Sequence, residues 1–282
     1  MARKAIITLV VGERYRCNFA RHSYQNWKAY TERYGLDLII VETLPDLSPR
    51  GLSRSAAWQK CLVMAGEPAR NYEQVAWVDA DIIINTRTAP NIFEPVGLHE
   101  IGAVQDYAYP SRAAYRARLE ELYRRWSARG VTFVDNLTPE LFLQNWGLKP
   151  MDSVVQTGVL VVNPELHGPL LRYTYDAYED KGPAEWNYEM RPLSYEILSN
   201  AAVRWIDLKF NVVVDFGIDD GELDLFLEPP SLTERIAGKL GLSGMPLLFA
   251  RNRRLTRVYK RLLDESYFLH FAGRQQDMAL LS

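Results

Sequence analysis

Cysteine is scarce in this chain: 282 residues contain only Cys17 and Cys61. That excludes a disulfide framework and a thiolate zinc cluster, and it fits a reducing, cytoplasmic setting. An excess of one charge is also missing, with 33 Lys and Arg against 35 Asp and Glu, net −2. No global basicity argues for a nucleic-acid partner. No apolar run reaches the roughly 18 residues that a membrane span needs. The first apolar run, Ala5 to Val11, is short for a signal core and runs into Gly12-Glu13-Arg14 without a small-residue cleavage site, so it reads as a strand. There is no internal repeat and no low-complexity tract. What remains is ordinary globular material, 48% hydrophobic and 24% charged, long enough for one large core or a core with an elaboration.

The first 110 residues alternate strand and helix patterns. Strands are expected at Ala5–Val11, Leu36–Val41, Val75–Val78 and Ile101–Gln105. Helices are expected at Cys17–Tyr34, ended by Gly35, and at Ser53–Ala65 with Ser53 as N-cap. That alternation implies an α/β fold with a mostly parallel sheet, in which ligands bind beyond the carboxyl ends of strands. Tyr115, Leu119, Leu122, Tyr123 and Trp126 then form one apolar helical face in an otherwise arginine-rich helix. A packed amphipathic helix is the default there, with acceptor binding the alternative. A short helix is expected near Thr138–Trp146, a strand at Val154–Asn163, and helices at Glu165–Tyr178 and about Asn187–Asn200. Short strands follow at Val203–Ile206, Asn211–Val214 and Tyr267–Phe271. The chain reads as a single domain, 1–282, with helical or irregular elaborations at 111–150 and 220–265. Within the second, Arg251, Arg253, Arg254, Arg257, Lys260 and Arg261 follow the apolar Pro246-Leu247-Leu248-Phe249. The alternatives there are a solvated helix face and peripheral contact with an anionic membrane through 251–261.

The most informative stretch is Gln74-Val75-Ala76-Trp77-Val78-Asp79-Ala80-Asp81-Ile82-Ile83-Ile84-Asn85. Its apolar residues read as a buried strand. Side chains repeat every second residue in extended chain, so Asp79 and Asp81 project to one side. Two unpaired carboxylates there are costly unless a cation bridges them. Carboxylate oxygens suit Mg²⁺ or Mn²⁺, ions that commonly keep open positions for phosphate oxygens. The spacing thus points to a metal that holds a nucleotide diphosphate. A chance pair of solvated turn aspartates is the plain alternative.

Four separated features extend this reading: Ile7-Thr8-Leu9-Val10-Val11-Gly12-Glu13-Arg14-Tyr15, then Asp79-Ala80-Asp81, then Gln156-Thr157-Gly158-Val159-Leu160-Val161-Val162-Asn163, and finally His270-Phe271-Ala272-Gly273. In this order the chain resembles the metal-dependent glycosyltransferases of the GT-A fold, most nearly the retaining families 8 and 34. The resemblance implies a Rossmann-like GT-A architecture, a mostly parallel mixed sheet flanked by helices, with a nucleotide-diphosphate sugar (UDP-linked) as donor and Mn²⁺ or Mg²⁺ as cofactor. It implies Asp79, Asp81 and His270 as metal ligands. Thr8 and Gly273 fall in the nucleotide pocket, and Tyr15 would stack on the base. Lys60 would face the donor, and Arg274 would stand in for a later phosphate-holding lysine. Gln156 and Thr157 could bond sugar hydroxyls, as could Asp106. Gly158 marks either a close approach of a ligand or a bulge. Where relatives carry Asp-Gln-Asp or Asp-Gln-Ser, this chain has Glu189, Met190 and Arg191. Glu189 takes the acidic catalytic role in this reading, or else pairs with Arg191 as a structural element. The acceptor would be a glycan, a lipid-linked sugar or a small molecule. The competing readings are a non-catalytic nucleotide-sugar binder and an Asp-x-Asp phosphohydrolase, which would want its motif on the first strand.

Overall fold

The computed structural model describes residues 3–131, 134, 136–182, 188–227 and 250–281. The sheet order follows from how the buried strands pair. β1 (Lys4–Leu9) lies parallel to β2 (Asp37–Val41) on one side and β3 (Gln74–Val78) on the other. β6 (Val155–Val162) joins β3 antiparallel and then pairs with β5 (Glu100–Gln105), which carries β7 (Ala202–Trp205) at the edge. The result is a six-stranded mixed sheet, β2-β1-β3-β6-β5-β7, in which β6 alone runs backwards. A second sheet, β4-β9-β8, is built from Ile82–Ile84, Phe268–His270 and Val212–Val213.

Alternation along the strands splits the core into two layers. Ala5, Ile7, Val75, Trp77, Leu160 and Val162 face one side. There they meet α4 (Gln59–Ala65), α7 (Pro164–Ala177) and α8 (Met190–Asn200). Ile6, Ala76, Val78, Val159 and Val161 face the other side, under α1 (Glu13–His22) and α2 (Tyr24–Tyr34). The amphipathic helix is α5 (Arg112–Ala128), and it buries Tyr115, Leu119, Leu122 and Tyr123 as its pattern implies. It also buries Arg118, whose guanidinium donates to the Ile218 carbonyl.

Three local expectations change. The helix expected over Cys17–Tyr34 is two helices that meet at Ser23. The bend sets Phe19 edge-on to Trp27 at 5.1 Å and lets the Trp27 indole donate to the Ile82 carbonyl at 2.9 Å. The αL residue Gly35 ends the second helix as expected. The Ser53–Ala65 helix is also broken. α3 (Pro49–Ser53) is capped by Ser48, and a 3₁₀ turn capped by Ser55 leads into α4. Extended backbone at Arg54 separates them, because Arg54 reaches across to the Tyr175 carbonyl and to Glu179. Finally, Ile82–Ile84 does not extend β3 but changes sheet as β4. α6 (Pro139–Gln144), α9 (Val214–Gly217), α10 (Leu223–Leu227) and α11 (Ala250–Glu265) complete the helices discussed below. The stretch 228–249, including Pro246–Phe249, lies outside the described residues. Among those residues no helix is long and apolar enough to cross a membrane.

Candidate metal and donor site

The change of sheet creates the site. β3 ends at Val78, Asp79-Ala80-Asp81 forms the joint, and β4 pairs antiparallel with β9 so that Ile82 sits opposite His270. That register brings a histidine some 190 positions away in sequence beside Asp81. The Phe271 amide donates to the Asp81 carbonyl at 2.9 Å and holds the joint closed. His270 Nε2 lies 3.1 Å from Asp81 Oδ1 and 3.9 Å from Asp79 Oδ2. One potential ligand atom from each of the three lies within 4.8 Å of the others. Ligands bound to one ion at about 2.1 Å are separated by roughly 3–4 Å, so a small side-chain adjustment closes the group. Two carboxylate oxygens and one imidazole nitrogen are a donor set that fits a divalent cation such as Mn²⁺.

Neighbouring groups orient each ligand. Asp79 Oδ1 accepts from the Trp77 indole at 2.7 Å and from Lys60 Nζ at 3.2 Å, which leaves Oδ2 for the shared centre. The Asp79 amide donates to the Gly158 carbonyl at 2.9 Å. Burial alone pushes the Asp81 carboxyl up, but His270 outweighs it and holds Asp81 below the usual range. The same balance works in reverse on His270: burial disfavours its cation, and the Asp81 and Asp79 charges raise it above its ordinary value.

Lys60 is buried, 3% exposed, with Nζ 2.8 Å from Glu189 Oε1 and donating to the Thr157 carbonyl at 3.2 Å. It does not open toward solvent as a donor-facing cation; it lies between Asp79 and Glu189. Burial alone lowers its proton affinity, yet those two acids raise it. Glu189 is likewise 3% exposed, and Oε1 also accepts from Thr157 Oγ1 at 3.0 Å. Burial raises its carboxyl more than Lys60 lowers it. Its ion-pair partner is thus Lys60, while Arg191 donates to the Phe142 carbonyl at 2.6 Å. Met190 is buried in the apolar cluster around Phe142 and Leu143.

The other expected residues are distributed around this centre. Thr8 is fully buried near the end of β1, and its hydroxyl has no hydrogen-bond partner. Tyr15 is 49% exposed, on the first turn of α1 and not in a loop. Asp106 follows β5, and burial lifts its carboxyl to about 6, against the pull of the Tyr107 amide and the Tyr115 hydroxyl. The only positive-φ residues other than glycine among those described are Tyr107 and Tyr188, next to Asp106 and Glu189. Such strained positions cluster at functional sites. Gly273 has φ +70 in the turn after β9. Arg274 Nε donates to Asp215 at 2.6 Å and Nη1 lies 3.9 Å from Asp277, so an internal ion pair already engages the guanidinium. Gln156 Oε1 accepts from the Gly158 amide and from Asn211 Nδ2, each at 2.6 Å. The groups that approach Gly158 closely are therefore the protein's own: an added Cβ would lie 2.7 Å from His270 Cε1 and 3.0 Å from Asn211 Nδ2. Sequence reasoning missed Asn211 and the Trp77 indole. Nothing in Phe210-Asn211-Val212 marks that asparagine until the register of β8 with β9 is known. A separate cavity of about 530 Å³, between Ala114, Arg118, Glu121 and Phe216, Ile218, Asp219, contains none of the expected site residues.

No family model and no curated protein matches this chain. Among solved structures, it is similar to a glycosyltransferase involved in glycosylation of the major capsid of PBCV-1, at 13% identity and TM-score 0.49, over 98% of this chain and 97% of that one. It is also similar to galactosyltransferase LgtC in complex with donor and acceptor sugar analogues, at 10% identity and TM-score 0.40, over 98% and 95%. Mouse xyloside xylosyltransferase 1 aligns at 10% identity and TM-score 0.40, over 79% and 92%. These are likenesses of chain course and bear on no individual residue.

Proposed function

We propose that this protein is a metal-dependent glycosyltransferase that moves a sugar from a nucleotide diphosphate, UDP in the reading the sequence resemblance suggests, to an acceptor hydroxyl with retention of configuration. The observation that carries the reading is the convergence of Asp79, Asp81 and His270 at the joint between the two sheets. A divalent ion held there supplies a Lewis acid for the departing diphosphate. In this reading Asp79 Oδ2, Asp81 and His270 Nε2 hold the ion. Trp77 and Lys60 fix the first of them. Thr8 and Tyr15 border the base, while Gly273 and Arg274 lie on the phosphate side. Gln156 and Asp106 flank the sugar. Glu189, ion-paired with Lys60, is the acid that in this reading steadies positive charge at the anomeric centre.

The place of the motif along the chain disfavours the phosphohydrolase reading, which wants its Asp-x-Asp after the first strand; here it follows β3. A non-catalytic sugar-nucleotide binder differs only in turnover. We treat residues 1–282 as one catalytic unit, with 111–150 and 220–265 as elaborations and the exposed cations of α11 as a membrane-facing patch.

The test is calorimetric titration of UDP with and without Mn²⁺, followed by donor hydrolysis. Asp81→Asn is expected to abolish the Mn²⁺-dependent part of nucleotide binding at unchanged fold. Equal binding by parent and variant, with the same Mn²⁺ response, would refute the proposal. Binding without hydrolysis or transfer would select the non-catalytic reading.

A further inference from the structure

We infer that Asn211 is a positioning residue that fixes the ring state of His270, and that Gln156 and the Gly158 amide set the direction of the whole relay. This deepens the proposed reading and rests on it for the role of the metal. Within this relay the Gly158 amide has a polarity that is not open to choice. A backbone N–H only donates. The Gly158 amide meets Gln156 at 2.6 Å, so the atom it meets is the amide oxygen, Oε1. The same oxygen lies 2.6 Å from Asn211, which must therefore present its NH₂ there. The Asn211 oxygen then faces His270 Nδ1 at 2.8 Å. An oxygen with no proton requires a donor opposite, so Nδ1 carries the hydrogen. In the neutral ring, Nε2 is left with its lone pair, and Nε2 is the atom that points at Asp81 and Asp79.

That outcome runs against what the ring would choose alone. An Nε2–H would donate to the Asp81 carboxylate at 3.1 Å, whereas a bare Nε2 faces two carboxylates as a third acceptor. The relay therefore holds three electron-pair donors toward one point, an arrangement that a cation relieves. A pair of side-chain amides that sustains it, with the Asn211 member buried, makes sense as support for a metal ligand. Asn211 and His270 are both buried, so water does not compete for these bonds. Gly158 completes the design, because a side chain there would meet His270 Cε1, Asn211 Nδ2 and Gln156 Oε1, all within 3.0 Å.

The experiment uses the full chain and two variants, Asn211→Leu and Gln156→Leu, with two readouts. The first is ¹⁵N NMR of the His270 ring in metal-free protein at alkaline pH, where the ring is neutral. The parent should show a protonated Nδ1 and a bare Nε2. Asn211→Leu should shift the ring toward the Nε2–H form. The second is the Kd for Mn²⁺ alone, read by electron paramagnetic resonance. Asn211→Leu should weaken it about 10–100-fold, the usual effect of losing a ligand's supporting partner. Gln156→Leu leaves the Asn211 amide free to turn over and should give a smaller loss in the same direction. The inference is overturned if the parent ring carries its hydrogen on Nε2, or if both variants keep the parent's ring state and Mn²⁺ affinity. If the parent binds no Mn²⁺, the proposed function fails, while the ring-state comparison still decides the relay. If Asn211→Leu does not fold, Gln156→Leu answers both questions.

Discussion

Replacing Lys60 by methionine should destabilise the protein strongly and in a pH-dependent way. Methionine fills nearly the same volume, so the loss is one of charge and hydrogen bonds, with little cavity. In the parent, the ammonium uses its three donors on Glu189, Asp79 and the Thr157 carbonyl. Asp79 keeps its indole bond to Trp77 and partial access to water. Glu189 keeps the Thr157 hydroxyl and its own backbone amide, loses its only ion-pair partner, and stays buried. Breaking a buried pair by removing one partner costs about 3–5 kcal/mol, which for a chain of this size is roughly 5–15 °C in Tm. The variant relieves the strain by protonating Glu189. That carboxyl already lies above its ordinary value, and removing Lys60 takes away the largest influence that lowers it. A carboxyl raised in the folded state contributes stability below its unfolded pKa and loses it as pH rises through the folded value. The gap between parent and variant should therefore widen from pH 5 to pH 8. Urea unfolding at both pH values measures it. Lys60→Met combined with Glu189→Gln should recover most of the loss, because an amide needs no counter-ion and still accepts from Thr157. A loss under about 1 kcal/mol for the single variant, or a double variant no better than the single one, would refute this account of the buried triad.

Asp106 gives a second pH effect of the same sign. Its carboxyl, lifted to about 6 by burial, contributes stability below its unfolded value near 4 and loses it as pH rises through about 6. Asp106→Asn should thus be more stable than the parent above pH 7, by roughly 1–2 kcal/mol after allowance for its partial exposure, and no more stable at pH 4; thermal melts at the two pH values decide. On α11, Arg253, Arg254, Arg257 and Lys260 are all exposed. Co-sedimentation at low salt should show binding to anionic but not zwitterionic vesicles, and Arg257→Glu with Lys260→Glu should abolish it; equal sedimentation with both lipids would remove the membrane role. Finally, proton NMR of the first-formed glycoside should show the donor's anomeric configuration, and an inverted product would recast Asp106 or Glu189 as a general base.

What the sequence made legible follows the range of the interactions. The strands β1, β2, β3, β5 and β6 lie within a residue or two of the ends expected for them, because each centres on a short apolar run bounded by polar or turn residues. The helix α5 was found because its apolar face repeats regularly. Errors came where a local signal met a tertiary one. Cys17–Tyr34 has helical composition throughout, and the bend at Ser23 goes with bonds to a segment distant in sequence, from Trp27 to the Ile82 carbonyl and between Asn26 and the Ile84 backbone. Ser53 looked like a cap, but Arg54 is pulled extended by partners more than 120 positions away, at Tyr175 and Glu179. At the site, the pairing of Asp79 with Asp81 is legible in their spacing, whereas His270 enters only through the family resemblance, because a lone histidine carries no spacing signal. Lys60 was visible as a residue but not as a buried ion-pair partner, since burial of a long cation depends on which acids the fold brings to it. Asn211 was invisible: an asparagine next to valines has no meaning until β8 and β9 pair.

The charges of the centre also bear on the valence of the ion proposed for it. Asp79, Asp81 and Glu189 contribute three negative charges, and Lys60 returns one positive charge at 2.8 Å and 3.2 Å. With His270 neutral and its lone pair turned inward, the cluster is left with two uncompensated negative charges. Glu189 is buried and Asp79 and Asp81 are only partly exposed, so low-dielectric surroundings magnify the repulsion. A proton on His270 removes only half of that excess. A divalent cation removes all of it and turns three mutually repelling acceptors into a bound set. It also reverses the field that an incoming diphosphate would meet, because without the ion the site repels an anion. For the proposed transferase the expected order is that the metal binds first or arrives with the nucleotide, and that nucleotide alone binds poorly. Titrating UDP into metal-free protein should show affinity weaker than in saturating Mn²⁺ by at least about tenfold, equivalent to roughly 1.4 kcal/mol. Equal affinity in the two conditions would mean that the diphosphate is held by cations elsewhere, with Arg274 released from Asp215 as the first to examine.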